Sequence, residues 1–184
     1  MSHQIFDICS LLASEEIAQG IAKWSQQIAN DISQAAYANK LITLFGNGGS
    51  AADSQHWAAE LTATYKERTR RPYPAIALST DTSVITAWSN DFDFSTVFSR
   101  QIEAFGSING LAIGMSTSGN SQNVLKALSA AQDFGARTIL ISGNGCKYRD
   151  DFDLHVLLPS HYTPIVQTMT QVLYHGVCEL LETL

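Results

Sequence analysis

Charge is scarce in this chain. Asp, Glu, Lys and Arg make up 15% of its 184 residues, against 45% apolar residues. A surface this poor in charge implies that part of it is covered, most simply in an oligomer. What charge there is leans acidic, at a net −6, which argues against nucleic acid as the main partner. Cysteine is also sparse. Cys9, Cys146 and Cys178 are odd in number and scattered, without CxxC spacing. That fits reduced thiols in a cytoplasm better than a disulfide frame. Long hydrophobic runs are missing too. The opening MSHQIFDICSLLASEE is apolar only briefly and lacks a basic start, so neither a signal peptide nor a membrane span is expected. No linker, low-complexity stretch or second domain interrupts residues 1–184, and the length suffices for one domain with a real core.

What is present centres on Leu41 to Tyr65. Leu41-Ile42-Thr43-Leu44-Phe45 has the length of a buried strand. Gly46-Asn47-Gly48-Gly49-Ser50 is a turn with little side chain, and Ala51 onward is rich in helix formers. Strand, glycine turn and helix form a unit that holds an anion, because backbone N–H groups come close and the helix N-terminus favours negative charge. His56 and Glu60, four residues apart, share one helical face.

Around this unit the apolar periods alternate. Steps of three and four through Ile17, Ile21, Trp24, Ile28 and Ile32 predict a helix over Leu11 to Tyr37. With no sheet to complete, it is expected on the domain's flank or on another subunit. Lys66 to Arg71 reads either as a solvated loop or as a positive rim that draws in an anion. Ala75–Leu78 is a second strand, followed by one or two helical turns over Thr82–Trp88, a polar break at Asn90-Asp91, and a helix over Phe94–Phe105. Leu111–Met115 is a third strand and Val124–Phe134 a helix. Thr138–Ile141 and Leu154–Leu158 are the last strands, and Val166 to Leu184 the last helix. This order predicts an α/β three-layer sandwich, with a five-stranded parallel sheet covered on both faces and a helix ahead of it.

The second candidate cradle is Ser116-Thr117-Ser118-Gly119-Asn120-Ser121. Four hydroxyls at a strand-to-helix turn match the several oxygens of a phosphate without a lysine; two would suffice for an ordinary cap and turn. His56 and Glu60 read as metal donors, as a base with its partner, or as a surface pair. Gln167 and His175 lie on one side of the last helix, but about 12 Å apart along it, far for one ion. His155 and His161 have no partner pattern and read as structural.

Together GNGGSAADSQHWAAEL, PAIALSTDTSVITAWSNDF, FSRQIEAFG, GMSTSGNSQNVLKAL and the late Gln167-x7-His175 resemble the sugar isomerase (SIS) domain family, and within it the sedoheptulose-7-phosphate isomerase group, also called phosphoheptose isomerase. The resemblance runs in order from about Leu41 to His175. It implies a homotetramer with sites at subunit boundaries, and the conversion of D-sedoheptulose 7-phosphate to D-glycero-D-manno-heptose 7-phosphate through an enediol, toward heptose for lipopolysaccharide or other surface glycans. It places Ser116, Thr117, Ser118 and Ser121 on the phosphate. Asn47, Gly48, Gly49, Asn90 and Asp91 fall on the sugar, with Ser50 and Gln167 among the substrate-binding positions. It makes Glu60 and His175 the acid–base pair and His56, Glu60, Gln167 and His175 the ligands of one zinc ion per subunit.

Three departures from the family pattern stand out. Ala63-Thr64 precedes Tyr65 where Gly-Arg is usual, so an anion-contacting arginine is missing and Arg68 or Arg70 is the candidate to replace it. Pro164-Ile165-Val166-Gln167-Thr168 stands for Ala-Arg-Ile-Gln-Glu, which removes a charged pair. Thr170 occupies a place that is often histidine. Two rivals remain. One is a non-catalytic SIS protein of the type that associates with the replication initiator DnaA; members of that group generally lack the carboxylate and histidine present here at Glu60 and His175. The other is a sugar-phosphate-binding regulator.

Overall fold

The computed structural model describes residues 9–10, 12–148 and 151–183. Leu11 and Leu184, the ends expected for the first and last helices, lie outside them, as do the first eight residues of the apolar opening. The elements are α1 (Glu15–Tyr37), β1 (Leu41–Gly46), α2 (Gly49–Thr62), β2 (Ala75–Ala77), α3 (Thr82–Asp91), α4 (Val97–Phe105), β3 (Asn109–Ser116), α5 (Gln122–Asp133), β4 (Arg137–Gly143), β5 (Leu154–Leu158) and α6 (Thr163–Leu181).

All strand pairs are parallel, in the order β2-β1-β3-β4-β5. Successive strand residues face opposite sides, and two cores follow from that alternation. Ile42, Leu44, Leu111, Ile113, Ile139 and Ile141 join α1, α2 and α6 on one face. Phe45, Ala112 and Leu140 join α4 and α5 on the other. The three-layer sandwich is as expected. α1 lies on the flank of the domain, where Ile28, Ala29 and Ile32 are fully buried.

Several boundaries move. α3 runs ten residues and takes in Asn90 and Asp91, expected in a polar break. Its start is sharpened by Asp81, whose carboxylate accepts from Val84 N at 3.0 Å. Phe94–Thr96 is a short 3₁₀ turn, so α4 begins only at Val97. α6 begins at Thr163, ahead of the apolar period, because Pro164 suits a first turn that needs no N–H bond.

The basic run after α2 is tied down. Arg70 and Glu182 form a buried ion pair at 3.0 Å, each side chain 9% exposed. The Arg70 guanidinium also donates to the Glu60 and Leu61 carbonyls at 2.9 and 3.3 Å. These are carbonyls near the end of α2, where the helix leaves its C=O groups without partners. Lys66 pairs with Glu179. Arg70 is thus spent on the end of α2, and of the two candidates for the missing anion contact only Arg68 remains an exposed side chain. Arg70→Ala is expected to lower unfolding free energy by about 3–5 kcal/mol, as breaking a buried pair does. Arg70→Lys should recover little, lacking the fork that reaches two carbonyls and a carboxylate. Urea titration of the three proteins checks this.

Candidate active site

In a doubly wound sheet of this strand order, ligands bind beyond the carboxyl ends of β1 and β3, where the chain's winding reverses. Both candidate cradles stand there. The register pairs Gly46 with Met115, so the two strands end level and their loops emerge side by side. Gly48 turns the first loop at φ +56°, a conformation that a side chain resists. In the second loop Gly119 has φ +68°, and a Cβ there would run into Cys146.

The serine loop closes on itself. Ser116 Oγ lies 2.9 Å from Ser121 Oγ, and Ser121 N–H donates back to Ser116 Oγ at 3.4 Å. Thr117 Oγ1 meets Thr163 Oγ1 at 3.4 Å, joining the loop to the start of α6. Ser118 is exposed at the tip. The two cradles are fastened together by a pair of amides: Asn47 and Asn123 exchange reciprocal bonds, both 2.8 Å. Asn123, buried in the first turn of α5, went unread in the sequence. One amide in a helix carries no pattern, and its meaning depends on which loop faces it.

α2 and α6 then set the remaining groups. Gln167 lies over the first turn of α2, where a Cβ on Gly49 would collide with its amide. One turn on, Gln171 Nε2 donates to Asp53 Oδ1 at 3.1 Å. Next, Tyr174 Oη lies 2.8 Å from His56 Nδ1, and the His175 ring is 5.3 Å from that of His56, edge-on. His56 Nε2 reaches Glu60 Oε1 at 3.0 Å. Tyr65 stacks over His175 at 6.1 Å. His56, Glu60 and His175 are therefore neighbours, while Gln167 belongs to the cradle end. Asn90 and Asp91 are exposed at the end of α3 and bonded to each other at 2.8 Å. Tyr174 was also missed. It sits seven residues after Gln167, two turns along the same face, and that spacing is the signal that points to it.

As donors, two imidazoles and a carboxylate suit zinc. Among the described residues, however, no three His, Cys, Asp or Glu side chains are placed to close on one ion. His56 uses one nitrogen on Tyr174 and the other on Glu60. The chain presents a hydrogen-bonded Tyr174–His56–Glu60 row rather than a closed ligand set.

Burial pushes the Asp53 carboxyl above its ordinary range, although the Gln171 bond and the charge of His56 pull it back. The folded protein therefore holds this proton to higher pH than the unfolded chain does. The carboxyl weakens the fold as pH rises from its unfolded value of 3.8 through its folded one, and the loss persists above that. Asp53→Asn is expected to raise the thermal midpoint at pH 7 by about 2 °C, with the gain shrinking as pH falls toward 4. Calorimetry across pH 4–7.5 checks the trend.

A model of the SIS domain matches residues 7–143. The chain is 49% identical over 145 residues to the phosphoheptose isomerase of Aliarcobacter butzleri, covering 78% of this chain and 76% of that one. It is 47% identical over 163 residues to the phosphoheptose isomerase of Aquifex aeolicus, covering 86% and 85%. The solved phosphoheptose isomerase from Neisseria gonorrhoeae superposes with a TM-score of 0.79 at 35% identity, covering 88% of this chain and 86% of that one. The enzyme of the same name from Francisella tularensis gives 0.80 at 28%, with the same coverage.

Proposed function

The chain belongs to the SIS domain family, and from that premise we propose that it is a phosphoheptose isomerase. It interconverts D-sedoheptulose 7-phosphate and D-glycero-D-manno-heptose 7-phosphate. The observation that carries the chemistry is the Glu60–His56–His175 cluster, which the packing of α2 against α6 assembles from residues far apart in sequence. The reaction takes a proton from one carbon and returns it to its neighbour, moving the carbonyl from C2 to C1. Glu60 is the base for the carbon proton. His175 moves the proton between the two oxygens of the cis-enediol. Ser116, Thr117, Ser118 and Ser121 hold the phosphate with hydroxyls and helix N–H groups. Asn47, Gly48, Gly49 and Ser50 bound the sugar beside them, and Asn90 and Asp91 complete its contacts.

Glu60 comes eleven residues after Gly49, roughly 16 Å along α2. That is further than one heptose bridges from the cradle of the same protomer. Gln167 and His175, about 12 Å apart, likewise reach one sugar or one ion only from different copies. A homotetramer with sites at subunit boundaries answers both separations, and covers surface in a chain so poor in charge. We place the enzyme in the cytoplasm, serving surface heptose synthesis. The free thiols of Cys146 and Cys178 suit that compartment, and among the described residues no helix is long and apolar enough to cross a membrane.

Glu60→Gln is expected to bind the sugar phosphate and to lose about 10²–10⁴ in kcat, read in a coupled assay with sedoheptulose 7-phosphate. Refolding it together with Ser118→Ala should restore part of the turnover, because mixed tetramers then hold sites with both intact halves. Retained turnover in Glu60→Gln alone removes that residue from the mechanism.

One zinc ion per subunit is the remaining part of the proposal, supported by the donor chemistry of His56, Glu60 and His175, with Gln167 as the fourth. When bound it would polarise the sugar's oxygens; none of the proton transfers above runs through it. Elemental analysis before and after chelation is expected to show about one zinc per chain, lost together with activity. Full activity in zinc-free protein ends the zinc assignment and leaves the acid–base pair intact.

A further inference from the structure

The serine loop can meet an anion only if its carbonyls point elsewhere, because a phosphate attracts N–H and O–H groups and repels a C=O. The carbonyls from Ser116 to Gly119 are all taken. Ser116 O accepts from Gly119 N–H at 2.8 Å, and Thr117 O from Gly143 N–H at 3.1 Å. Ser118 O accepts from Asn120 Nδ2 at 2.7 Å. Gly119 O accepts from the Cys146 thiol at 3.3 Å. Two of these donors, Gly143 and Cys146, come from outside the loop: from the end of β4 and the turn that follows it.

That turn, Asn144–Tyr148, is itself rooted. Asn144 N–H donates to Ser160 O at 2.9 Å and Cys146 N–H to Gly143 O at 3.3 Å. The Cys146 side chain is 4% exposed and belongs to the core that holds Val124 and Leu125 of α5. Asn120 ties the two loops a second time. Its Nδ2 also reaches Gly145 O at 3.3 Å, and its Oδ1 accepts from Lys147 N–H at 3.4 Å.

Gly119 is the pliable point between these anchors. It has φ +68° and no side chain, so its backbone turns more freely than its neighbours'. Turning the Gly119–Asn120 peptide over would put a carbonyl where the Asn120 N–H now faces Ser118 Oγ at 3.2 Å. Cys146 stands directly against Gly119. Its S–H, a weak donor, lies between the Gly119 and Tyr148 carbonyls, each 3.3 Å away.

We propose that Cys146 is a positioning residue for substrate binding: from the turn after β4 it holds the Gly119 carbonyl off the phosphate cradle, with Asn120 as the second tie. The proposal rests on the Ser116–Ser121 loop being the phosphate site of the isomerase. Neither residue needs to touch the sugar. A cradle already formed binds more tightly, because no ordering cost is subtracted from its contacts.

The test measures KM and kcat for sedoheptulose 7-phosphate, and the dissociation constant of inorganic phosphate by titration calorimetry. It compares the native enzyme with Cys146→Ala, Cys146→Ser and Asn120→Ala. In the two alanine variants KM and the phosphate constant are expected to rise about fivefold, as loss of one hydrogen bond allows, with kcat within about twofold of native. Cys146→Ser keeps a donor and is expected to stay near the native values. A merely structural role would lower the thermal midpoint and leave phosphate affinity unmoved. Native phosphate affinity in Cys146→Ala, or a Cys146→Ser protein no better than Cys146→Ala, overturns the proposal. If the Cys146 variants fail to fold, Asn120→Ala decides, and native phosphate affinity there overturns it equally. A native protein that binds phosphate but leaves the sugar phosphate unchanged removes the isomerase reading instead, and the phosphate titrations still decide the role of Cys146.

Discussion

The functional residues depend on one packing arrangement: α2 and α6 run parallel in a fixed register. Gln171 meets Asp53 and Tyr174 meets His56, each pair 118 residues apart in sequence, and Gln167 over Gly49 holds the same offset. A constant offset means that the two helices advance together, turn for turn. Sliding one past the other by a single turn, about 5.4 Å, would take Tyr174 off His56 and Gln171 off Asp53 at once. The register is held at its two ends by unlike means. At the start, Gly49 lets Gln167 approach the backbone. At the far end, the Arg70–Glu182 pair binds the residue just after α6 to carbonyls of α2. Between them Trp57 and Tyr174 stack in the core.

The sheet supplies the other half of the constraint. Because β1 and β3 are neighbours with β2 on the far side of β1, the loops after β1 and β3 stand next to each other without a strand between them. Two short glycine-bearing turns then act as one surface. The Asn47–Asn123 amide pair makes that union physical. It is a neutral link. In the proposed function it leaves the attraction of a phosphate to helix N-termini and hydroxyl donors, without the desolvation that a buried lysine would cost.

Much of this was legible in the order of residues because it depends on local chemistry. Strand-length apolar runs gave the sheet, and alternating strands and helices gave its parallel sense. Gly48 and Gly119 fell within the turns read from the sequence, and the serine density of the second turn is what suggested a phosphate cradle there. His56 and Glu60 are one helical turn apart, so their bond follows from spacing alone. The residues that escaped reading owe their roles to pairing across the fold. Asn123, Asp53 and Tyr174 matter because of the residues 76 or 118 positions away that meet them, and no local period records such partners. Helix starts slipped for a related reason. α6 begins on Thr163-Pro164, whose helical fitness comes from backbone geometry, not from an apolar face. α3 continues through Asn90 and Asp91 because its end is set by Phe92 and the Asp93 turn, not by polarity.

The departures from the family pattern find a physical sense in the same region. An arginine two residues beyond the end of α2 would stand where Thr64 stands, while Arg70, the cation nearest in sequence that is buried, is already neutralised by Glu182. Lys66 is neutralised by Glu179. Of the loop's cations, Arg70 is committed to the joint between α2 and α6, while the Lys66–Glu179 pair lies at the surface. Arg68 is exposed and forms no ion pair found among the described residues, while Lys66, though exposed, faces Glu179. For the proposed function, this leaves the phosphate to be held mainly by hydroxyls and backbone dipoles, whose attraction is short-ranged, with little long-range steering. A chain with net charge −6 and a dianionic substrate repel at a distance, and the repulsion is screened by salt. On the proposed function, the capture of substrate gains with rising ionic strength, while the chemical step at Glu60 stays insensitive to salt.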